Sequence, residues 1–269
     1  MSGWTLHARQ APALRVDLRG IRPAALAPLA AAEVERLPLA CGNALVPLAE
    51  FFRVKARADE DLVFAADLAR FDRLGWQMDG GCIVVEGAAG DYAGGGMKAG
   101  EIRIEGSVRD LAACEMAGGR LVVGGSAGDF AASTLPGSMD GMRGGSFIVH
   151  GSAGARFGDR MRRGSAIVFG DVGDFAASRL VAGTIAIGGR AGAHPGYGMR
   201  RGSLVFAAGA PAAPPTFVPA LGAAPVFWQL LARDLEQHGG PFAGLAARGC
   251  ERHLGDLAAD GRGEWIAAR

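Results

Sequence analysis

CIVVEGAAGDYAGGGMKAG (Cys82–Gly100) runs directly into EIRIEGSVRDLAACEMAGG (Glu101–Gly119), and the two read as one 19-residue unit written twice. The unit returns as RLVVGGSAGDFAAS (120–133) and GMRGG (141–145), split by an insertion, TLPGSMD (Thr134–Asp140). It then runs on as SFIVHGSAGARFGDRMRRG (146–164), SAIVFGDVGDFAASRLVAG (165–183) and TIAIGGRAGAHPGYGMRRG (184–202). A weaker copy spans 63–81, and Ser203–Ala208 opens one that fades. A fixed period of this kind marks an array in which each unit buries its apolar face only against its neighbours.

Each copy opens on apolar alternation: Ile83/Val85, Ile102/Ile104, Leu121/Val123, Phe147/Val149, Ala166/Val168, Ile185/Ile187. Period-two alternation closed by glycine reads as a short strand with one buried face. A small apolar residue follows (Ala89, Val108, Ala127, Ala153, Val172, Ala191), then Met or Leu near the end (Met97, Met116, Met142, Met161, Leu180, Met199). Three inward rows separated by glycine corners predict a mainly β chain: a right-handed parallel β-helix of about seven 19-residue coils. At the strand spacing of about 4.8 Å, seven coils rise roughly 34 Å.

The 44 glycines then need no appeal to disorder. Apolar residues make up 49% and the net charge is +1, whereas disordered chains are polar and highly charged. Of the glycines, 31 lie between Gly80 and Gly202, where tight corners call for φ > 0. An open stack exposes two sheet edges, so both ends need covers. The expected organisation is an N-terminal cap over 1–62, repeats over 63–209, and a Pro-rich linker with a helical C-terminal tail over 210–269. Within the caps, the patterns predict a helix from Pro23 to Arg36, a helix with Phe227, Leu230, Leu231 and Leu235 on its apolar face, and a second helical piece over 241–258.

Several chemistries fall away. Balanced charge argues against nucleic acid as main partner. Four scattered cysteines (41, 82, 114, 250) suit neither a disulfide framework nor a zinc site, and point to a reducing cytoplasm. No run of 18 apolar residues is present, so no membrane role is expected. No His of the five stands at ligand spacing to another, and no Gly-x-Ser-x-Gly elbow occurs, so neither metal nor catalytic residues are expected. Asp91, Asp110, Asp129 and Asp174 share one place in their copies, without the rest of a calcium-binding array.

One surface feature stands out. Lys98, Arg143, Arg162 and Arg200 occupy one column of the stack, with Arg163 and Arg201 in the next. Like charges facing each other across strands are unfavourable. The column reads either as a solvated face or as a contact for an anion, carried by an acidic partner or a polyanionic cofactor tail. The insertion, present in one copy, reads as an interface loop.

The pattern G-x-V-x-G-x-A-G-x(6)-M-x-x-G resembles the C subunit of formylmethanofuran dehydrogenase, and also the C-terminal β-helix domain of glutamate synthase. GNALVPLAEFFRV (Gly42–Val54), PTF (Pro215–Phe217) and RHLGDLAADGRGEWI (Arg252–Ile266) favour the former. The resemblance implies a scaffold subunit of one-carbon metabolism that binds no cofactor itself. Its partners would be a formyltransferase, an amidohydrolase-like subunit and a dehydrogenase-like subunit. The complex would pass a formyl group from a tetrahydromethanopterin carrier to a methanofuran-type carrier and release formate. Archaeal relatives work as a dehydrogenase, and the Lys-poor composition and absence of an iron–sulfur motif favour the formyltransferase/hydrolase type. The alternatives are a detached glutamate-synthase-type domain, or a solenoid lyase or acyltransferase.

Overall fold

Alternating apolar residues at a 19-residue interval give each copy one strand, and the strands stack in register. The computed structural model describes residues 3–221 and 225–269. The N-terminal part holds β1 (Gly3–Ala8), β2 (Val16–Asp17), α1 (Pro23–Leu26), α2 (Ala31–Glu35), β3 (Pro38–Cys41), β4 (Ala44–Pro47) and β5 (Phe52–Arg57). The repeats supply β6 (Leu62–Ala65), β7 (Phe71–Asp72), β8 (Asp79–Val85), β9 (Ala99–Ile104) and β10 (Arg120–Val123). They continue through β11 (Arg143–Val149), β12 (Arg163–Val168), β13 (Thr184–Ile187) and β14 (Ser203–Phe206). The C-terminal part adds β15 (Val218–Pro219), α3 (Pro225–Glu236), β16 (Cys250–Gly255) and β17 (Gly263–Ala268).

Thirteen strands form one mostly parallel sheet, in the order β15-β16-β17-β14-β13-β12-β11-β10-β9-β8-β6-β1-β5. Ile83 sits opposite Ile102, Ile102 opposite Leu121, and Leu121 opposite Phe147, so the insertion is looped out without disturbing the register. A second parallel ladder joins Leu68, Ala89, Val108, Ala127, Ala153, Val172 and Ala191, one bridge per copy. The third row, Met97 through Met199, is fully buried. A four-stranded sheet, β4-β3-β2-β7, flanks the first copy.

The first copy departs from the 19-residue frame. Leu62, not Phe64, faces Ile83, and Leu68 faces Ala89, an offset of 21. The two extra residues precede Arg73 and give β7, which pairs with β2 and ties the repeats to the N-terminal cap. Glycine corners behave as expected: Gly164 has φ +90°, and a Cβ there would lie 2.6 Å from the Gly145 carbonyl oxygen.

Three expectations about the caps need correction. The helix expected over Pro23–Arg36 is two short helices, α1 and α2, separated by a break at Pro28, which has no N–H to donate and restricts the residue before it. The second helical piece over 241–258 is instead two single 3-10 turns, then β16, then a third turn at Leu257–Ala259. On α3 the buried face is Trp228, Ala232 and Leu235, whereas Phe227 and Leu230 are exposed. That face packs on Ile148, Ile167, Ala186 and Val205, which point out of the opposite side of the sheet. Gly222–Ala224 of the expected linker and helix start lie outside the described residues.

Candidate anion-facing groove

The basic column is built by the backbone ladder. The amides of Arg143, Arg162 and Arg200 donate to the carbonyls of Met116, Met142 and Leu180 in the preceding copies, at 2.6, 2.7 and 2.8 Å. Each bond places its arginine one strand spacing from the equivalent position below. Because the neighbouring Met or Leu points inward and is buried, the arginine points out. Arg143, Arg162, Arg163, Arg200 and Arg201 line one open groove of about 580 Å³, floored by Val181 and Ala182, which stand at the two arginine places in the copy over 165–183. Lys98, the sixth predicted member, is exposed but outside this lining. Ala117 takes the intervening place, leaving two strand spacings, roughly 10 Å, between Lys98 and Arg143.

Only one carboxylate answers this charge among the described residues. Asp140, at the end of the insertion, pairs with Arg162. Arg143 reaches the Glu115 carbonyl at 3.5 Å. Arg163, Arg200 and Arg201 have no ion-pair partner within 4.0 Å among the described residues. A planar guanidinium can grip carboxylate or phosphate groups through paired hydrogen bonds, the chemistry such a cluster offers.

The recurring aspartates have a structural use. Asp72, Asp91, Asp110 and Asp129 each accept the amide N–H of the equivalent residue one copy on (Asp91, Asp110, Asp129, Ala155), and Asp174 accepts that of Ala193. Arg15 pairs with Asp72 and Asp91. The aspartate column seen in the sequence is therefore a row of braces between copies. Burial pushes the Cys114 thiol up to about 12, and burial also raises Cys82 and Cys250, so none of these three supplies a thiolate nucleophile near neutrality. Among the described residues, no three His, Cys, Asp or Glu side chains lie together as a metal site would require. No helix among them is long and apolar enough to cross a membrane.

Fold and groove together define a mainly β protein built on a repeat, with five arginines lining one groove. No protein-family model matches the chain. A solved chain of the formyltransferase/hydrolase complex from Methylorubrum extorquens, crystallised with methylofuran, superposes with a TM-score of 0.92. It is 37% identical over 98% of this chain and 99% of that one. The curated C subunit of the same complex from Methylorubrum extorquens is 40% identical over 76 residues, 28% of this chain and 29% of that protein. The chain belongs to the C-subunit family of formyltransferase/hydrolase complexes.

Proposed function

We propose that this chain is the scaffold subunit of a cytoplasmic formyltransferase/hydrolase complex and carries none of the reacting groups itself. The observation that carries this reading is end-to-end similarity at 37% identity to a chain crystallised within such a complex. In this reading the chain winds as a right-handed β-helix of about seven coils, with residues 1–62 and 210–269 as flanking units. The parallel register at one copy per strand and the second ladder of bridges support the winding. Formyl transfer between tetrahydromethanopterin and methanofuran-type carriers, and hydrolysis to formate, belong to the formyltransferase, amidohydrolase-like and dehydrogenase-like partners. The groove of Arg143, Arg162, Arg163, Arg200 and Arg201 faces an anion of the assembly, an acidic segment or a polyanionic carrier tail.

Native mass spectrometry of the protein drawn from its own cells tests the assignment. A heteromeric assembly containing a formyltransferase and an amidohydrolase-like subunit is expected, with no formyl transfer or hydrolysis by the isolated chain. Turnover by the isolated chain would refute the scaffold reading. Arg200→Ala with Arg201→Ala is expected to weaken the complex or its turnover while leaving the chain's own thermal midpoint in place. Unchanged assembly and turnover would leave the groove a solvated face.

A further inference from the structure

The copies carry left-handed, non-glycine residues at their eleventh, thirteenth and fifteenth places, Phe130, Ala132, Arg160 and Arg179 among them. At the eleventh place of each copy the backbone is left-handed, yet the residues are bulky: Phe130, Arg156, Phe175 and His194 take φ of 58°, 57°, 59° and 55°. Glycine is the residue that adopts this region without cost, and the chain places glycine at many of its other corners.

The side chains presented stack into a ladder. The Arg156 guanidinium lies 5.9 Å from the Phe130 ring and 5.0 Å from that of Phe175. Phe175 in turn meets His194 at 5.0 Å and Tyr197 at 6.0 Å. Stacking within the rod explains part of this, but it leaves the outer surfaces uncovered: Phe130 is 40% exposed and Tyr197 59%. The insertion adds Met139, 64% exposed, whose sulfur sits against the Arg160 guanidinium. Its next residue, Asp140, pairs with Arg162, so the insertion runs from Arg160 to the arginine groove. Phe, Tyr, Met and Arg are the residues enriched at the centres of protein interfaces.

We propose that this corner docks an acidic-rimmed protein surface on another subunit of the complex, with Phe130, Met139 and Tyr197 as its apolar centre. The inference rests on the subunit reading above. Charge complementarity selects the occupant, because the groove that the insertion reaches through Asp140 carries five arginines, with Asp140 as their one counter-charge among the described residues. The carboxylates nearest the ladder are already engaged: Asp129 and Asp174 by backbone amides, and Asp159 by Arg179.

Met139→Asp and Tyr197→Asp, made separately in the full complex, test the assignment. Both side chains are exposed, so the isolated chain should keep its thermal midpoint. Dissociation of this chain from the other subunits is expected to become about tenfold easier or more for each variant, the loss typical of an interface centre. Variants that assemble within twofold of wild type would overturn the docking face while leaving the subunit reading intact. A wild-type chain that fails to join the other subunits would overturn both readings. A wild-type chain that dimerises alone, with Tyr197→Asp abolishing only the dimer, would assign the corner to a second copy and refute the proposal.

Discussion

A side chain in a stacked repeat is defined as much by the copy above it as by its neighbours in the chain. Asp110 shows this. Its carboxylate accepts the Asp129 amide at 2.9 Å, while its own amide donates to Asp91 at 3.2 Å. The column was visible as a recurrence of aspartate, but its role was not, since the partner amide lies 19 residues away. Asp110→Ala leaves the Asp129 amide to water and is expected to cost about 1 kcal/mol, the net worth of one such bond. Urea unfolding should show a lower midpoint at unchanged slope. The methionine row behaved differently. Its inward direction was legible because burial follows from apolar character alone, and Met97, Met116, Met142, Met161 and Met199 are all fully buried.

At the scale of elements, α3 is the clearest case of pattern outrun by packing. Its sequence carries apolar residues on more than one side, and spacing alone picked a face with Phe227 and Leu230, which are exposed. The choice was made by Ile148, Ile167, Ala186 and Val205, whose side chains leave the sheet on the side away from the repeat core. Those strands, SFIV, SAIV, TIAI and SLVF, are apolar on both faces, a signal of a covered strand that alternation alone understates. Trp228 anchors the helix there, its indole N–H donating to the Arg248 carbonyl at 2.6 Å. Just beyond the helix, burial holds the His238 imidazole below its ordinary 6.5, helped by Arg120 and opposed by Asp234. The folded form thus favours neutral histidine, and the unfolded chain takes the proton first as pH falls. Stability from this site is whole above about 6.5 and is lost as pH drops through the lower folded value. Unfolding midpoints measured between pH 8 and pH 5 should decline, and His238→Gln should flatten that decline.

For the molecule as a whole, the open question of a stacked sheet is how it ends. At the N-terminal end β1 extends the parallel run and β5 closes it antiparallel, presenting Arg53 and Lys55 as exposed residues on the edge strand. Such charges discourage pairing with other chains. At the other end β17 takes the place of a further copy beside β14, with Trp265 buried against Phe206 and Phe217, and β16 and β15 follow antiparallel. Removing residues 211–269 would uncover the β14 edge and the outward apolar row together. The truncated chain is expected to aggregate or form high oligomers on size-exclusion chromatography, whereas the full chain should not do so by these surfaces. The sequence by itself determined the period, the three inward rows, the glycine corners and the columns of arginine and aspartate, because each follows from residues repeated at one interval. Only the tertiary structure decided that five of six basic residues share a groove, that Asp140 answers one of them, that α3 covers the outer sheet face and that β17 completes the sheet. The last three involve the insertion, α3 and β17, which lie outside the repeat and have no period, so no local pattern encodes them and only packing in three dimensions brings them together.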